Sequence, residues 1–194
     1  MLAQRGTRVS MDEIARAAGL GSGTLYRHFP HRGALLAAVI TEHLVLVSAD
    51  IYQASTLADP LEALRAAMHA LAAHVAANRA VHEALLHHIE QRDLGTTPDL
   101  VAARTRALDL LDQLVHRAQD AGVLRTDIAA SDLPLVLGVI GRINLPKNDL
   151  NLWERYFDLL IDGLRTPTPS QLSHQPPHTW WDLPRQVDRQ PRLR

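Results

Sequence analysis

The sequence contains no cysteine among its 194 residues. Disulfides and thiolate metal sites are therefore excluded, and a reducing cytoplasm is compatible with the chain. No run of about 18 apolar residues is present, and the N-terminus lacks a basic segment followed by an apolar one. We therefore expect a cytoplasmic protein without a secretory signal or a membrane partner.

Strand-like alternation, internal repeats and the usual catalytic motifs are also missing. No phosphate loop, nucleophile elbow or paired catalytic carboxylate is present, and nothing in the sequence positions a Ser/His/Asp triad. Apolar residues instead recur at helical spacing. The sequence predicts an all-α fold, no enzymatic activity and no bound cofactor.

The stretch at residues 10–36, SMDEIARAAGLGSGTLYRHFPHRGALL, predicts two short helices joined by a glycine turn. Ser10 and Glu13 have the spacing of a capping box at the start of the first helix. Gly19 stands where a left-handed residue ends a helix, and Pro30 stops the second helix. The pattern is that of a helix-turn-helix.

The second helix, from Ser22 to Phe29, has one apolar side and one polar side. Leu25 and Phe29 are four residues apart and are predicted to face inward. The groups predicted to contact DNA are Ser22, Gly23, Thr24, Tyr26, Arg27, His28 and Arg32. The alternative is a capped helix pair with an ordinary polar outer face. Arg32 argues against it, because a cation in the first turn of a helix is badly placed unless an anion lies nearby.

The run MDEIARAAGLGSGTLYRHFPHRGALLAAV resembles the DNA-binding signature of the tetracycline-repressor (TetR) family. The resemblance implies a dimeric transcription regulator, usually a repressor released by a small ligand. By position, it implies phosphate contacts from Thr24, Tyr26 and Arg32, and places Ser22, Gly23 and His28 nearest the bases. The sequence departs from the family pattern in having Gly21 for a capping serine, Gly33 for a glutamate and arginine at 32 for lysine.

Charge and composition divide the chain into three parts. Residues 1–47, the predicted helix-turn-helix head, carry five arginines against three acids. Residues 48–165, the predicted regulatory and dimerisation body, carry eleven basic residues against sixteen acids. Residues 166–194 are rich in proline and predict a disordered tail, in which Trp180 and Trp181 have no assigned role. A basic head on an acidic body fits a protein that contacts DNA at one end.

Helical periodicity predicts the elements of the body. We expect a helix from about Arg32 to Tyr52 and a second one that begins at Pro60 behind an Asp59 cap. Apolar residues between Val81 and Ile89 predict another helix. A long helix should follow Pro98 and end near Ala121 at Gly122, a left-handed terminator.

Two apolar segments near the end of the body are the predicted dimerisation helices. Leu133 to Ile143 is apolar on almost every side, which predicts a helix buried on all faces, and Leu152 to Leu164 has a broad apolar stripe. The TetR resemblance places the contact between two copies here, and YFDLLIDGLR is also similar to the SbtR-like C-terminal type. The predicted interface comprises Leu137, Gly138, Gly141, Trp153, Tyr156, Phe157, Leu160, Ile161 and Leu164. The alternative is two core helices of a monomer.

A ligand site is expected in the body, away from the head. The candidate lining groups are apolar or mixed residues near the inward stripes, namely Tyr52, Met68, His69, His87 and Leu111. The ligand itself, the operator and the sign of regulation are not specified by the sequence.

Eleven histidines require that metal binding be considered. Glu83, His87 and Glu90 lie at i, i+4 and i+7 of one helical face, a spacing compatible with zinc or half of a di-iron site. The alternative function is therefore an all-α protein that does not bind DNA, or a metal enzyme using residues 82–90. The second helical set of ligands that a di-iron site needs is absent, so we predict a solvated or pocket-lining face and no metal site.

A helix-turn-helix head of this type needs three helices, because two short ones cannot enclose a core. Residues 1–5 resemble only the end of the family's first helix, so we expect most of that helix to be missing from the chain. The faces of Ile14, Ala18, Leu25 and Phe29 should then be partly uncovered.

Overall fold

The computed structural model describes residues 10–77, 97–142, 150–165 and 172. These residues form seven helices and no strand, which confirms the predicted all-α fold. The helices are α1 (Met11–Ala17), α2 (Ser22–His28), α3 (Arg32–Ser55), α4 (Pro60–Ala77), α5 (Pro98–Asp120), α6 (Asp132–Arg142) and α7 (Leu150–Leu164). An isolated bridge joins Leu124 to Arg165.

The starts of the long helices are set by local side-chain caps. The Asp59 carboxylate accepts hydrogen bonds from the amides of Leu61 (2.8 Å) and Glu62 (2.9 Å), ahead of Pro60 at the first position of α4. Thr97 caps α5 in the same way and precedes Pro98. The N–H groups in the first turn of a helix have no partner within the helix and need such acceptors. Proline at the first position has no N–H group, so it needs no acceptor.

Two glycines end helices in the left-handed conformation. Gly19 follows α1 with φ of 68° and Gly122 follows α5 with φ of 69°. After α1, the amide of Leu20 donates to the carbonyl of Ala15 at 2.9 Å, and the equivalent bond after α5 runs from Val123. Both predicted terminators therefore occur, each closed by the 6→1 bond that glycine makes possible.

α3 is the helix around which the fold is arranged, because it contributes to each of the three clusters of buried apolar residues. Its N-terminal Leu35 packs in the cluster of α1 and α2. Its middle packs against α5 in a cluster comprising Ala37, Ile40, Leu44, Leu100, Ala103 and Ala107. Its C-terminal Val47, Ile51 and Ala54 join the main core, which also contains Leu64, Met68 and Leu111. α3 ends at Ser55 rather than near Tyr52, because the chain stays packed on this core.

The predicted boundary between head and body at residues 47 and 48 lies inside α3. α3 continues without a break at this boundary. The division into head and body therefore stays a prediction about function. The predicted helix between Val81 and Ile89, residues 1–5 and all of the tail except Leu172 lie outside the described residues.

α3 is also long and apolar enough to cross a membrane by length and composition alone. Its best 18-residue window has a mean hydropathy of 1.8, and 44% of that window is buried inside the protein. This differs from the expectation that no segment would qualify. The core helix of a soluble protein passes the same test. α3 packs in all three clusters, while its Val45 and Leu46 are exposed, at 53% and 52%.

Among the described side chains of α6, Leu133 and Leu137 are buried, and Leu135 and Val136 are half-buried in the single chain. Burial of α6 on all faces stays a prediction. Among the described side chains of α7, Phe157 and Ile161 are buried. The exposed ones include Tyr156 and Leu159, which belong to a second apolar face.

Candidate nucleic-acid interface

The helix pair α1–α2 is built from local sequence signals. The Ser10 hydroxyl accepts from the Glu13 amide at 3.2 Å, and the Glu13 carboxylate accepts from the Ser10 amide at 2.8 Å. This completes the predicted capping box and fixes where α1 begins. The left-handed Gly19 then turns the chain into α2 within four residues, which is the helix-turn-helix arrangement.

A small apolar cluster holds the two helices against the start of α3. Its buried members are Met11, Ala15, Leu25 and Leu35, and the half-buried Ile14, Phe29 and Val39 pack on it. Of the faces expected to be partly uncovered, Ile14 and Phe29 are half-buried and Ala18 is exposed, whereas Leu25 is only 5% exposed. Leu25 is covered because α3 packs behind it.

The outer side of α2 presents every group predicted to contact DNA from that helix. Thr24 is half-buried, and the exposed members are Ser22, Gly23, Tyr26, Arg27 and His28. Tyr26 is 45% exposed, although a tyrosine usually buries most of its ring. A short helix therefore combines one inward leucine with an unbroken outer surface of hydrogen-bonding groups.

Gly23 is a glycine that the protein's own fold does not require. A Cβ built there meets no atom within 4 Å, and its φ is not in the left-handed region. Glycine inside a helix costs roughly 0.5–1 kcal/mol relative to alanine. Its presence on the exposed side of α2 therefore fits close approach by another molecule, such as the floor or backbone of a DNA groove.

Arg32 begins α3 directly behind this surface. Its side chain is half-buried, and its Nη2 atom is buried without a hydrogen-bond partner within the described ranges. With almost no accessible surface, Nη2 itself is out of reach of an external acceptor in this arrangement. A phosphate contact would use the other guanidinium N–H groups of Arg32, and it stays a prediction.

His31 is a helix cap in the head that the sequence analysis did not predict. Its Nδ1 accepts from the Ala34 amide at 3.2 Å, so the imidazole caps α3. The available signal was its position immediately before the helix. Histidine is not among the preferred capping residues, which hid it.

Four of the five predicted ligand-lining residues lie in the described part of the chain, and that all five share one site stays a prediction. Met68 and Leu111 are buried in the main core, and His69 is exposed with its ring edge against Phe157, at 5.6 Å between centroids. Tyr52 lines a cleft between α3 and α5, described below. His87 lies outside the described residues.

The predicted dimerisation residues divide between two sides. Leu137, Phe157 and Ile161 belong to the core of their own chain, and Gly138 is also buried. Leu160 and Leu164 are half-buried at its edge, and Tyr156 is 39% exposed. The burial of Gly141 and of Trp153 is outside the described set. Leu159 is 55% exposed on the same side of α7 as Tyr156, and the predicted interface did not include it.

The histidine-rich segment 82–90 lies outside the described residues. Among the residues that the structure describes, no three His, Asp or Glu side chains form a group able to hold a metal ion. His74 contacts Asp50 at 2.7 Å and lies edge-on to His43, at 5.3 Å between ring centroids.

The second helix of this helix-turn-helix is exposed and polar, and the helix pair is joined to a larger helical body. This arrangement is typical of DNA-binding regulators. Family comparison agrees with this geometry. Residues 1–39 match the bacterial regulatory proteins of the tetR family, and residues 59–166 match the C-terminal domain of SbtR-like transcriptional regulators. The chain belongs to the TetR family of transcriptional regulators.

Solved structures give the same result. A TetR regulatory protein from Mycobacterium vanbaalenii is 30% identical, over 85% of this chain and 88% of its own, with a TM-score of 0.55. The regulator SCO0520 from Streptomyces coelicolor is 29% identical over 84% and 91%, with a TM-score of 0.57. The regulator PfmR from Thermus thermophilus is 27% identical over 80% and 89%, with a TM-score of 0.62. No curated protein matches the chain.

Proposed function

We propose that this protein is a ligand-released repressor that binds a palindromic operator as a homodimer in the cytoplasm. α2 would lie in the major groove, with Ser22, Gly23 and His28 nearest the base edges. Thr24, Tyr26, Arg27 and Arg32 would contact phosphates and set the register. The observation that carries this assignment is the exposed polar face of α2, formed by Ser22, Gly23, Tyr26, Arg27 and His28.

Coupling between body and head would pass through α3. The same continuous helix packs Leu35 with α1 and α2 and packs Ile51 in the main core. A change in how α3 sits against α5 would therefore displace the head as a unit. A ligand would shift this equilibrium only if it binds one arrangement of the helices more tightly than the other.

The second apolar face of α7 supports the homodimer. Tyr156 and Leu159 are exposed, Leu160 is half-buried, and Gly163 is exposed with no atom within 4 Å of a built Cβ. Exposed apolar residues that are contiguous mark association surfaces, and a glycine among them allows close approach of a second helix. Twofold pairing through α7 would give the symmetry that a palindromic operator requires.

The test is retention of genomic fragments from the protein's own source on the immobilised full chain, followed by sequencing. We expect enrichment of fragments that share an inverted repeat. A variant with Tyr26→Ala and Arg32→Ala should lose this enrichment while its circular dichroism and unfolding midpoint stay near those of the unchanged protein. Equal enrichment by the double variant, or fragments without a shared repeat, would remove α2 from the proposed role.

A further inference from the structure

A cleft between α3 and α5 has the size and lining of a small-molecule site. Its volume is about 310 Å³, at the lower end of the roughly 300–1,000 Å³ typical of ligand pockets. Its walls comprise Val45, Ser48, Ala49, Tyr52, Ala103 and Arg106. The four residues from α3 follow helical spacing of three and four, so they form one face of that helix.

The lining combines an apolar surface with three polar groups of one kind. Val45, Ala49 and Ala103 present only hydrocarbon, whereas the hydroxyls of Ser48 and Tyr52 and the Arg106 guanidinium can each donate a hydrogen bond. No acidic side chain belongs to the lining, and Arg106 makes no ion pair with the described residues. The cleft is therefore complementary to a compact anion with an apolar body.

Ser48 differs from the other hydroxyl residues of α3. The Thr41 hydroxyl donates to the Ala37 carbonyl at 2.8 Å, and the Ser55 hydroxyl donates to the Tyr52 carbonyl at 2.6 Å. The Ser48 hydroxyl is buried, in a residue only 8% exposed, and makes no hydrogen bond within the described residues. A helical serine usually satisfies itself on the preceding turn. The Ser48 oxygen has almost no accessible surface, so a ligand reaches this unpaired hydroxyl only by parting α3 and α5.

We propose that this cleft binds a small apolar carboxylate. The carboxylate would accept hydrogen bonds from Arg106 and Tyr52, and from Ser48 once the ligand has parted α3 and α5. The hydrocarbon part would lie against Val45 and Ala103. The inference names the ligand class for the ligand-released regulation proposed above and rests on it for its regulatory meaning. Because the two cleft walls are α3 and α5, a molecule held between them favours one spacing of the helix that leads to the head.

Calorimetric titration of the full chain without DNA tests the ligand class. Benzoate and hexanoate are the probes, with benzyl alcohol and 1-hexanol as neutral controls of matched size. Both carboxylates should bind, and each should bind more tightly than its alcohol. Carboxylates that fail to bind at millimolar concentration, or that bind no better than the alcohols, would overturn the proposal.

Arginine variants test the position of the site. Arg106→Gln should weaken benzoate binding by about ten- to a hundred-fold, the usual effect of losing a charged hydrogen bond. Arg155→Gln removes the same charge from the exposed surface of α7 and should leave the affinity unchanged. Equal affinities for the Arg106 and Arg155 variants would place the ligand elsewhere.

Ser48→Ala separates a ligand contact from a structural role. The free protein should not lose thermal stability, because the substitution removes a buried hydroxyl that has no partner. Benzoate affinity should fall about three- to tenfold. A lowered unfolding temperature with unchanged affinity would show that Ser48 serves the fold alone and would contradict its role in the cleft.

Fluorescence anisotropy on the enriched operator distinguishes the two proposals. Release of DNA by benzoate from the unchanged protein, but not from Arg106→Gln, supports both. Operator binding without any carboxylate binding overturns the cleft assignment and leaves the DNA-binding regulator intact. Carboxylate binding by a chain that enriches no operator supports the cleft and overturns the proposed repressor.

Discussion

Arg125 and Asp127 form a two-pronged ion pair in the loop between α5 and α6. Arg125 Nε lies 2.5 Å from one carboxylate oxygen of Asp127, and Nη2 lies 2.8 Å from the other. Arg125 Nη1 also donates to the Gly163 carbonyl at 3.3 Å, and its amide donates to the Leu164 carbonyl at 3.0 Å. Asp127 also accepts from the Leu172 amide at 2.9 Å. The pair therefore holds the end of α7 against the body.

The first prediction concerns the pH dependence of this pair. Hydrogen bonds from Arg125 and the Leu172 amide hold the pKa of Asp127 well below its ordinary value of 3.8. A depressed folded pKa adds stability that is present above the unfolded pKa and is lost as the pH falls through the folded one. The stability difference between unchanged protein and Asp127→Asn should therefore be constant from neutral pH to about pH 5 and shrink below the unfolded value.

Urea unfolding at a series of pH values measures this difference. Asp162→Asn is the control, because Asp162 pairs with Arg165 at 3.6 Å on an exposed surface. It should change the free energy of unfolding by at most about 1 kcal/mol. An Asp127→Asn deficit that persists undiminished under acid conditions would mean that packing, not the ion pair, accounts for the effect.

The second prediction compares two glycine-to-alanine substitutions in the head. Gly23→Ala should raise the free energy of unfolding by up to about 1 kcal/mol, because the helical backbone is compatible with alanine and the Cβ has open space. Operator affinity should fall, since the added methyl group separates α2 from the groove. Gly19→Ala should destabilise by about 1–2 kcal/mol, because its φ of 68° strains any residue with a Cβ.

Thermal unfolding and operator anisotropy provide the two readouts. The pattern to look for is stability and affinity moving in opposite directions for Gly23→Ala. Unchanged affinity in a more stable protein would place Gly23 outside the DNA interface.

The third prediction concerns the guanidinium of Arg32. If it meets a phosphate, Arg32→Ala should reduce the slope of log K against log salt by about 0.9, the value for one released counterion. Arg32→Lys should restore the slope with weaker binding, since lysine keeps the charge but not the guanidinium geometry. Anisotropy over a range of salt concentrations measures both, and identical slopes for unchanged protein and Arg32→Ala would refute the contact.

The fourth prediction distinguishes the two faces of α7. Leu159→Glu places a charge on the exposed apolar face and should yield a folded, helical monomer, with association weakened about a hundredfold or more. Ile161→Glu places the same charge in the main core, where Ile161 is 3% exposed, and should unfold the protein. Analytical ultracentrifugation and circular dichroism separate these outcomes.

Leu57→Glu is the matched control for that experiment. Leu57 is 44% exposed but lies between α3 and α4, away from α7. It should leave the oligomeric state unchanged. A dimer that survives Leu159→Glu would transfer the interface to another surface.

Local features of this protein follow from short stretches of sequence. The Ser10–Glu13 capping box, the Asp59 cap and the left-handed Gly19 and Gly122 are all where their neighbours predict them. Each depends on hydrogen bonds or backbone conformations within about five residues, so no distant partner is needed to specify them. The helix-turn-helix itself is local in this sense.

Placement of side chains against distant helices required the folded chain. A broad apolar stripe on α7 was evident, but only packing against the main core shows that Phe157 faces inward and Leu159 outward. Likewise, Met68 and Tyr52 both lie near apolar stripes, yet one is core and the other lines the cleft. The sequence did not predict the Arg125–Asp127 ion pair and its contacts. Gly163 is 38 residues from Arg125, and Leu172 is 45 residues from Asp127. Helical periodicity specifies which residues share a face, whereas the neighbour of that face depends on contacts between segments far apart in the chain.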